Sequence, residues 1–218
     1  MKLPRRLLKW CAVLLVVLVA GWAGYTYFYE GNLGQPEYTV IGQEGDVEFR
    51  RYTPFIIAST PMRADGDSGL RSGFRVLAKY IFGGNQPGER LAMTAPVLQQ
   101  ETGGESLPMT APVLQSEADG RMAFVMPADR ALDTLPKPNS DDISLTRVDW
   151  GEVAAIRFSG RGRQARFEAA EAELRSALAS TARRAAGPAL YAQYNSPSAF
   201  PPLRRNEVLI PLLPLAAP

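Results

Sequence analysis

Leu91–Gln100 reads LAMTAPVLQQ, and Leu107–Ser116 repeats it as LPMTAPVLQS, with eight of ten positions identical. Each copy alternates apolar and other residues, the pattern of a half-buried strand. Each also carries a proline, Pro96 or Pro112, which confines such a strand to a sheet edge or a bulge. Gly103-Gly104 and their polar neighbours supply a turn between the copies. The expectation is a duplicated β-hairpin. In such a hairpin, pairing parity decides whether Met93 and Met109 share a face.

The 218 residues suffice for one domain plus an extension, with ordinary apolar (46%) and charged (21%) fractions. A net charge of +2, spread along the chain without aromatic interleaving, argues against a nucleic-acid partner. Histidine is absent and Cys11 is the lone cysteine. Those two facts exclude Ser-His-Asp and Cys-His catalysis as usually built, zinc sites made of His and Cys, and an intramolecular disulfide. An axial histidine on haem iron is excluded with them.

Lys2, Arg5, Arg6 and Lys9 precede a nearly unbroken apolar run from Trp10 to Phe28. About 20 apolar residues cross a bilayer as a helix, and Trp10, Trp22, Tyr25, Tyr27 and Tyr29 suit its interfaces. Residues 1–29 therefore read as a single-pass anchor with a cytoplasmic N-terminus and an extracytoplasmic domain, periplasmic in a Gram-negative cell. A signal peptide cut near Gly21-Trp22-Ala23 is the other reading, which the long run and its aromatic end disfavour. Residues 30–36, EGNLGQP, read as a polar linker.

Residues 37–218 read as one domain of two similar halves. In the first, strands at Tyr38–Ile41, Val47–Arg51 and Phe55–Thr60 precede a helix capped by Asp67 or Ser68 and ended by Gly83-Gly84-Asn85. Leu70, Phe74, Leu77 and Ile81 recur there at helical spacing. The twin segments and Arg121–Pro127 follow. In the second half, strands at Ile143–Val148 and Val153–Ser159 precede a helix over Arg163–Ala185, with Phe167, Leu174 and Leu178 inward and Arg183 and Arg184 favourable in its last turn. Leu190–Asn195 and Glu207–Leu212 close it. Strand, helix, strand, strand, written twice, predicts an α+β fold: a distorted antiparallel β-barrel with two flanking helices, plus the N-terminal transmembrane helix.

Five stretches then match a known pattern in order: VEFRRYTPFIIAST, AKYIFGGNQPGERLAMTAPV, FVMPADRALDTLPKPNSDDI, EVAAIRFSG and RRNEVLIPL. Through them the chain resembles the SOUL family, the p22-type haem-binding proteins. The resemblance implies a distorted β-barrel related to multidrug-sensing effector domains. It also implies binding of haem or another tetrapyrrole at a shallow apolar surface without a required histidine. That surface maps to Arg71, Phe74, Ala78 and Lys79. Their spacing independently puts all four along one side of a helix, two cations flanking an apolar patch. Arginine pairs well with a carboxylate, and Phe74 can stack on a macrocycle. The plainer alternative packs Phe74 and Ala78 on the sheet and leaves Arg71 and Lys79 solvated.

Family members often carry methionine on this helix where Phe74 and Ala78 stand, so iron ligation, if any, falls to Tyr52, Tyr80, Met93 or Met109. The reading is a membrane-tethered binder of haem or a similar amphipathic ring, and no enzyme. An envelope interaction domain that binds no cofactor is the alternative, since an open sheet edge accepts a partner strand. Acid–base work would fall to Asp141-Asp142, Glu168 with Glu171, or Glu207, and a Glu207 buried against a cavity would favour it.

Overall fold

The computed structural model describes residues 5–62, 66–100 and 120–214. Strand β1 (Tyr38–Glu44), β2 (Val47–Tyr52) and β3 (Phe55–Pro61) lead to helix α2 (Gly66–Ile81), with α1 (Arg5–Phe28) before them. After α2 come β4 (Asn85–Gln86), β5 (Val97–Gln100), β6 (Arg121–Val125), β7 (Lys137–Pro138), β8 (Ser144–Val148) and β9 (Glu152–Ser159). Helix α3 (Gln164–Ala179), β10 (Leu190–Gln193) and β11 (Arg205–Pro211) complete the chain.

Nine strands form one antiparallel sheet in the order β1-β2-β9-β11-β10-β5-β6-β3-β8, and β4 pairs with β7 apart from it. The sheet curls into a half-barrel whose open edges are β1 and β8. The two halves are visible in the order itself. β9-α3-β10-β11 lies beside β2, as β3-α2-β5-β6 lies beside β8, and the halves meet where β5 pairs with β10.

Period-two alternation sorts each strand between two faces. On the helix side, Val47, Phe49, Ala154, Ile156, Val208 and Ile210 meet Phe167, Leu174 and Leu178 of α3. Ile56, Ala58, Met122 and Phe124 meet Leu77 and Ile81 of α2. The concave face carries Tyr52, Ala123, Val125, Val153, Ala155, Ala192 and Leu209, many of them small, as tight curvature requires.

Several expectations need correction. The first repeat does not lie on a sheet edge: β5 is flanked by β6 and β10 along its whole length. No edge of Val97–Gln100 is left for a hairpin with the second copy, which, with Met109, lies outside the described residues. Pro96 precedes the strand, so the ladder needs no N–H from it. Helix α2 begins at Gly66, so Asp67 and Ser68 are inside it and not its cap. Helix α3 stops at Ala179, because the Ser180 and Thr181 hydroxyls turn back onto the Ala177 and Leu178 carbonyls at 2.7 and 2.9 Å. Arg183 consequently leaves the helix, pairs with Glu152 and covers the Phe49 ring at 4.4 Å.

Residues 30–36 are packed, not a free linker. Glu30–Asn32 form a 3-10 turn, Leu33 joins the concave-face cluster, and the Ala95 N–H donates to the Gly34 carbonyl at 2.8 Å. Glu30 is buried, with its carboxylate accepting from the Ser196 N–H at 2.9 Å and the Ser196 hydroxyl at 2.6 Å.

Candidate functional site

Helix α2 is held on the sheet by Leu77, Tyr80 and Ile81, all buried, and by a close approach at Gly73, where a Cβ would stand 3.3 Å from the Met122 Cβ. Its end is locked by two residues. At Gly84 a Cβ would meet the Lys79 carbonyl oxygen at 2.6 Å, while the Gly84 N–H donates to that oxygen at 2.7 Å. The buried Asn85 amide donates to the Tyr80 and Glu89 carbonyls at 2.8 and 2.7 Å and accepts the Glu89 N–H at 2.8 Å.

The opposite side of α2 faces outward. Arg71 and Lys79 are exposed, Ala78 is half-buried, and Phe74 remains 39% exposed with its ring edge-on to Phe124 at 5.4 Å. Phe74 thus rests on the sheet with one side and shows the other. Arg75 is also exposed on this side, and Phe82, one residue past the helix, is 55% exposed. The sequence signal for both was the same helical spacing, continued to offsets of four and eleven from Arg71.

The three iron-ligand candidates among the described residues separate cleanly, Met109 lying outside them. Tyr80 points inward and donates to the Pro136 carbonyl at 2.9 Å, and burial pushes its pKa to about 12. Tyr52 is buried in the concave-face cluster, where burial raises its pKa against the pull of Arg50. Met93 is exposed, two residues beyond Leu91, whose N–H donates to the Ile81 carbonyl at the end of α2. Among the described residues no cluster of three or more His, Cys, Asp or Glu is placed to hold a metal. The outward side of α2 therefore carries the exposed Phe74 between the exposed cations Arg71 and Lys79, with Tyr80 turned away from it.

Glu207 is fully buried at 0% exposure. Its carboxylate accepts two bonds from the Arg50 guanidinium at 2.8 and 3.1 Å, one from Arg205 Nε at 2.9 Å and one from the Tyr194 hydroxyl at 2.6 Å. Arg50 lies over the Tyr38 ring at 4.5 Å and Arg205 over the Tyr194 ring at 3.9 Å. Burial alone would raise the Glu207 pKa, but the hydrogen bonds and charges of Arg50, then Arg205, hold it below the ordinary carboxylate value. Burial beside the Glu207 charge pushes the Tyr194 phenol well up. All four lone-pair directions of the carboxylate are taken, so Glu207 has no capacity left for a substrate proton. Glu171 likewise serves structure, accepting from Arg175 at 2.7 Å and from the Tyr191 hydroxyl at 2.8 Å.

The depressed Glu207 pKa sets an acid limit. Its stabilisation is complete above the unfolded value of about 4.3 and fades as the pH falls through the lower folded value. Glu152, held down by Arg51 and Arg183 against burial, acts in the same direction. Urea midpoints at pH 7, 5 and 3 should agree at the first two and drop at the third. A midpoint unchanged at pH 3 would contradict the assignment.

The chain has these similarities to known proteins. The family described as SOUL heme-binding protein matches residues 33–211. No curated protein matches. Among solved structures, the EcmrR C-terminal domain aligns with a TM-score of 0.57 at 12% identity, covering 81% of this chain and 98% of that one. An EcmrR–DNA complex solved by cryo-EM aligns with a TM-score of 0.56 at 11% identity, covering 95% of this chain and 68% of that one. A Listeria innocua protein described as a hydrolase reaches 0.49 at 12% identity, covering 79% of this chain and 94% of that one. At these identities the EcmrR likenesses speak for the fold alone. The family match spans most of the chain and begins at Leu33, where the chain enters the half-barrel: this chain belongs to the SOUL heme-binding protein family.

Proposed function

We propose that this protein is a membrane-tethered binder of a haem-like tetrapyrrole, with no catalytic role, and that the ring lies on the outward side of α2. The observation that carries the proposal is the half-exposed Phe74, seated on Phe124 between the exposed cations Arg71 and Lys79. A flat ring would cover Phe74 and Ala78, and its carboxylates would reach Arg71, Lys79 and the adjacent Arg75. Haem bound there would supply iron chemistry, with the protein contributing ring contact and charge and no histidine ligand. The saturated Glu207 supports binding over catalysis. For the tether, α1 is long and apolar enough to span a bilayer, and the basic residues at its start, Arg5, Arg6 and Lys9, orient the domain outside the cytoplasm.

Hemin titrated into the full chain in nanodiscs, with empty nanodiscs as the blank, tests the site. The expected result is a shifted Soret band that saturates and quenches tryptophan fluorescence. Phe74→Ala is expected to weaken binding about tenfold, near 1.4 kcal/mol, and Arg71→Glu with Lys79→Glu to weaken it further. A spectrum identical to that of the blank would overturn the haem reading. A docking role is favoured by one feature, the open edge strand β1 with Val40 exposed on it, and would show as partner capture without any tetrapyrrole.

A further inference from the structure

The outer end of α1 does not merely lead into the domain; it docks on it. Trp22 Nε1 donates to the Ser198 carbonyl at 2.8 Å, and its ring meets Phe200 edge-on at 5.0 Å. The Phe200 N–H donates to the hydroxyl of the buried Thr26 at 2.9 Å, and Glu30 takes the two bonds from Ser196. Trp22, Thr26 and Glu30 succeed one another at intervals of four, so one helix face holds the loop after β10. Lys9–Phe28, at 1.5 Å per residue, spans about 30 Å, the thickness of the hydrocarbon core. Trp22 then lies about 9 Å short of Phe28 along the helix. A loop held by Trp22, Thr26 and Glu30 thereby straddles the outer boundary of that core and meets the headgroups, and exposed Leu203 sits in the same loop.

Beside that loop opens a polar pocket of about 390 Å³, lined by Arg161, Arg204, Arg205, Gln193, Asn195 and Asn206 among others, with no carboxylate in its wall. Two arginine-rich stretches meet there. Arg157, Arg161, Arg163 and Arg166 fall within ten residues, and Arg204-Arg205 lie beside them across the β9–β11 ladder, where the Gly160 N–H donates to the Arg204 carbonyl at 3.2 Å. Arg205 is ion-paired with Glu207, which it shares with Arg50. Arg204 donates only to the Ala199 and Pro197 carbonyls, at 2.9 and 2.6 Å, and neither it nor the exposed Arg161 has an ion-pair partner among the described residues. Burial, then the charge of Arg161, lower the Arg204 pKa against the pull of Glu30. The wall is backbone at Gly162, where a Cβ would meet Asn206 Oδ1 at 2.7 Å and Phe167 Cε2 at 3.0 Å. Gly160 turns the chain into it at φ +100°.

We propose that this pocket holds the phosphate of an anionic phospholipid headgroup in the leaflet next to the domain. Arg161 and Arg204 meet the phosphate, for which guanidinium forks are suited, and the Asn and Gln side chains meet the headgroup hydroxyls. The inference rests on the reading of α1 as a membrane span and is independent of what α2 binds.

Native mass spectrometry of the full chain in detergent, titrated with phosphatidylglycerol or phosphatidylcholine, tests it. Phosphatidylglycerol should be retained at least tenfold more tightly. Arg161→Glu, at an exposed position, should abolish that preference. Arg147→Glu, the same charge change on the far edge strand β8, should keep it. Equal retention of the two lipids, or equal losses in both variants, overturns the proposal. So does full displacement by equimolar glycerol 1-phosphate, which would make the ligand a soluble phosphate. Alkaline carbonate extraction separates the two readings. A chain released from membranes ends both, whereas a chain that stays but lacks the preference ends only the headgroup site.

Discussion

Glu207→Gln is expected to destabilise the protein by about 3–5 kcal/mol, because it takes the buried carboxylate shared by Arg50 and Arg205 and leaves Arg50 only the partly exposed Glu48 at 2.8 Å. The Arg50 and Glu207 side chains are 3% and 0% exposed, so water cannot replace the lost partner. Arg205, at 17%, can turn part of its guanidinium outward and suffers less. For a chain of this length the melting temperature should fall by about 6–20 °C. The double change Arg50→Met with Glu207→Leu should recover most of the loss, since a packed apolar pair is often as stable as a buried ion pair. Thermal unfolding of the parent chain and these two variants in one detergent makes the comparison. A single-variant loss under about 1 kcal/mol would mean that the pair is solvated and the network misassigned.

That network also marks the boundary of what the chain discloses before it folds. The strands were legible because alternation is local. Val47, Phe49, Ala154, Ile156, Val208 and Ile210 point to one face whatever their neighbours are. Phe167, Leu174 and Leu178 announce the buried side of α3 in the same way. Arg50 and Glu207 lie 157 residues apart and meet only because β9 stands between their strands. Neither residue differs locally from a solvated charge. The two ends of the helical readings failed for a related reason. Arg183 suits a helix C-terminus by charge, but Glu152 on another element claims it. The repeat pointed to a hairpin because sequence neighbours usually pair, yet β10 occupies the edge of β5 that such a hairpin needs.

For the candidate site, spacing placed Arg71, Phe74, Ala78 and Lys79 on one side of α2, and the structure puts that side outward. Spacing could not say how much of Phe74 stays open, because that depends on Phe124, which arrives from β6. The same limit hid the basic pocket. Arg161 and Arg204 are ordinary surface arginines until the β9–β11 ladder sets their stretches side by side. The N-terminal apolar run was legible as a helix, but gave no sign that Trp22 and Thr26 would grip the domain.

Leu77→Ala is expected to cost about 2–5 kcal/mol, the range for emptying a leucine site in a packed interior. Leu77 is 0% exposed and lies in the cluster that joins α2 to β3 and β6, together with Phe124 and Tyr80. Phe74→Ala, one turn away on the same helix, removes a half-exposed ring and should cost far less stability, under about 1.5 kcal/mol. Hemin affinity should rank the two changes the other way. Phe74→Ala removes ring contact directly, whereas Leu77→Ala reaches the site only through a small shift of Phe124 beneath it. Measured in one preparation by urea unfolding and by Soret titration, the two variants should therefore cross. Leu77→Ala should lose the more stability, and Phe74→Ala the more binding. If Phe74→Ala proved the more destabilising while hemin binding stayed intact, Phe74 would be a core residue and the ring would need another surface. The crossing thus separates the side of α2 that builds the fold from the side offered to a ligand.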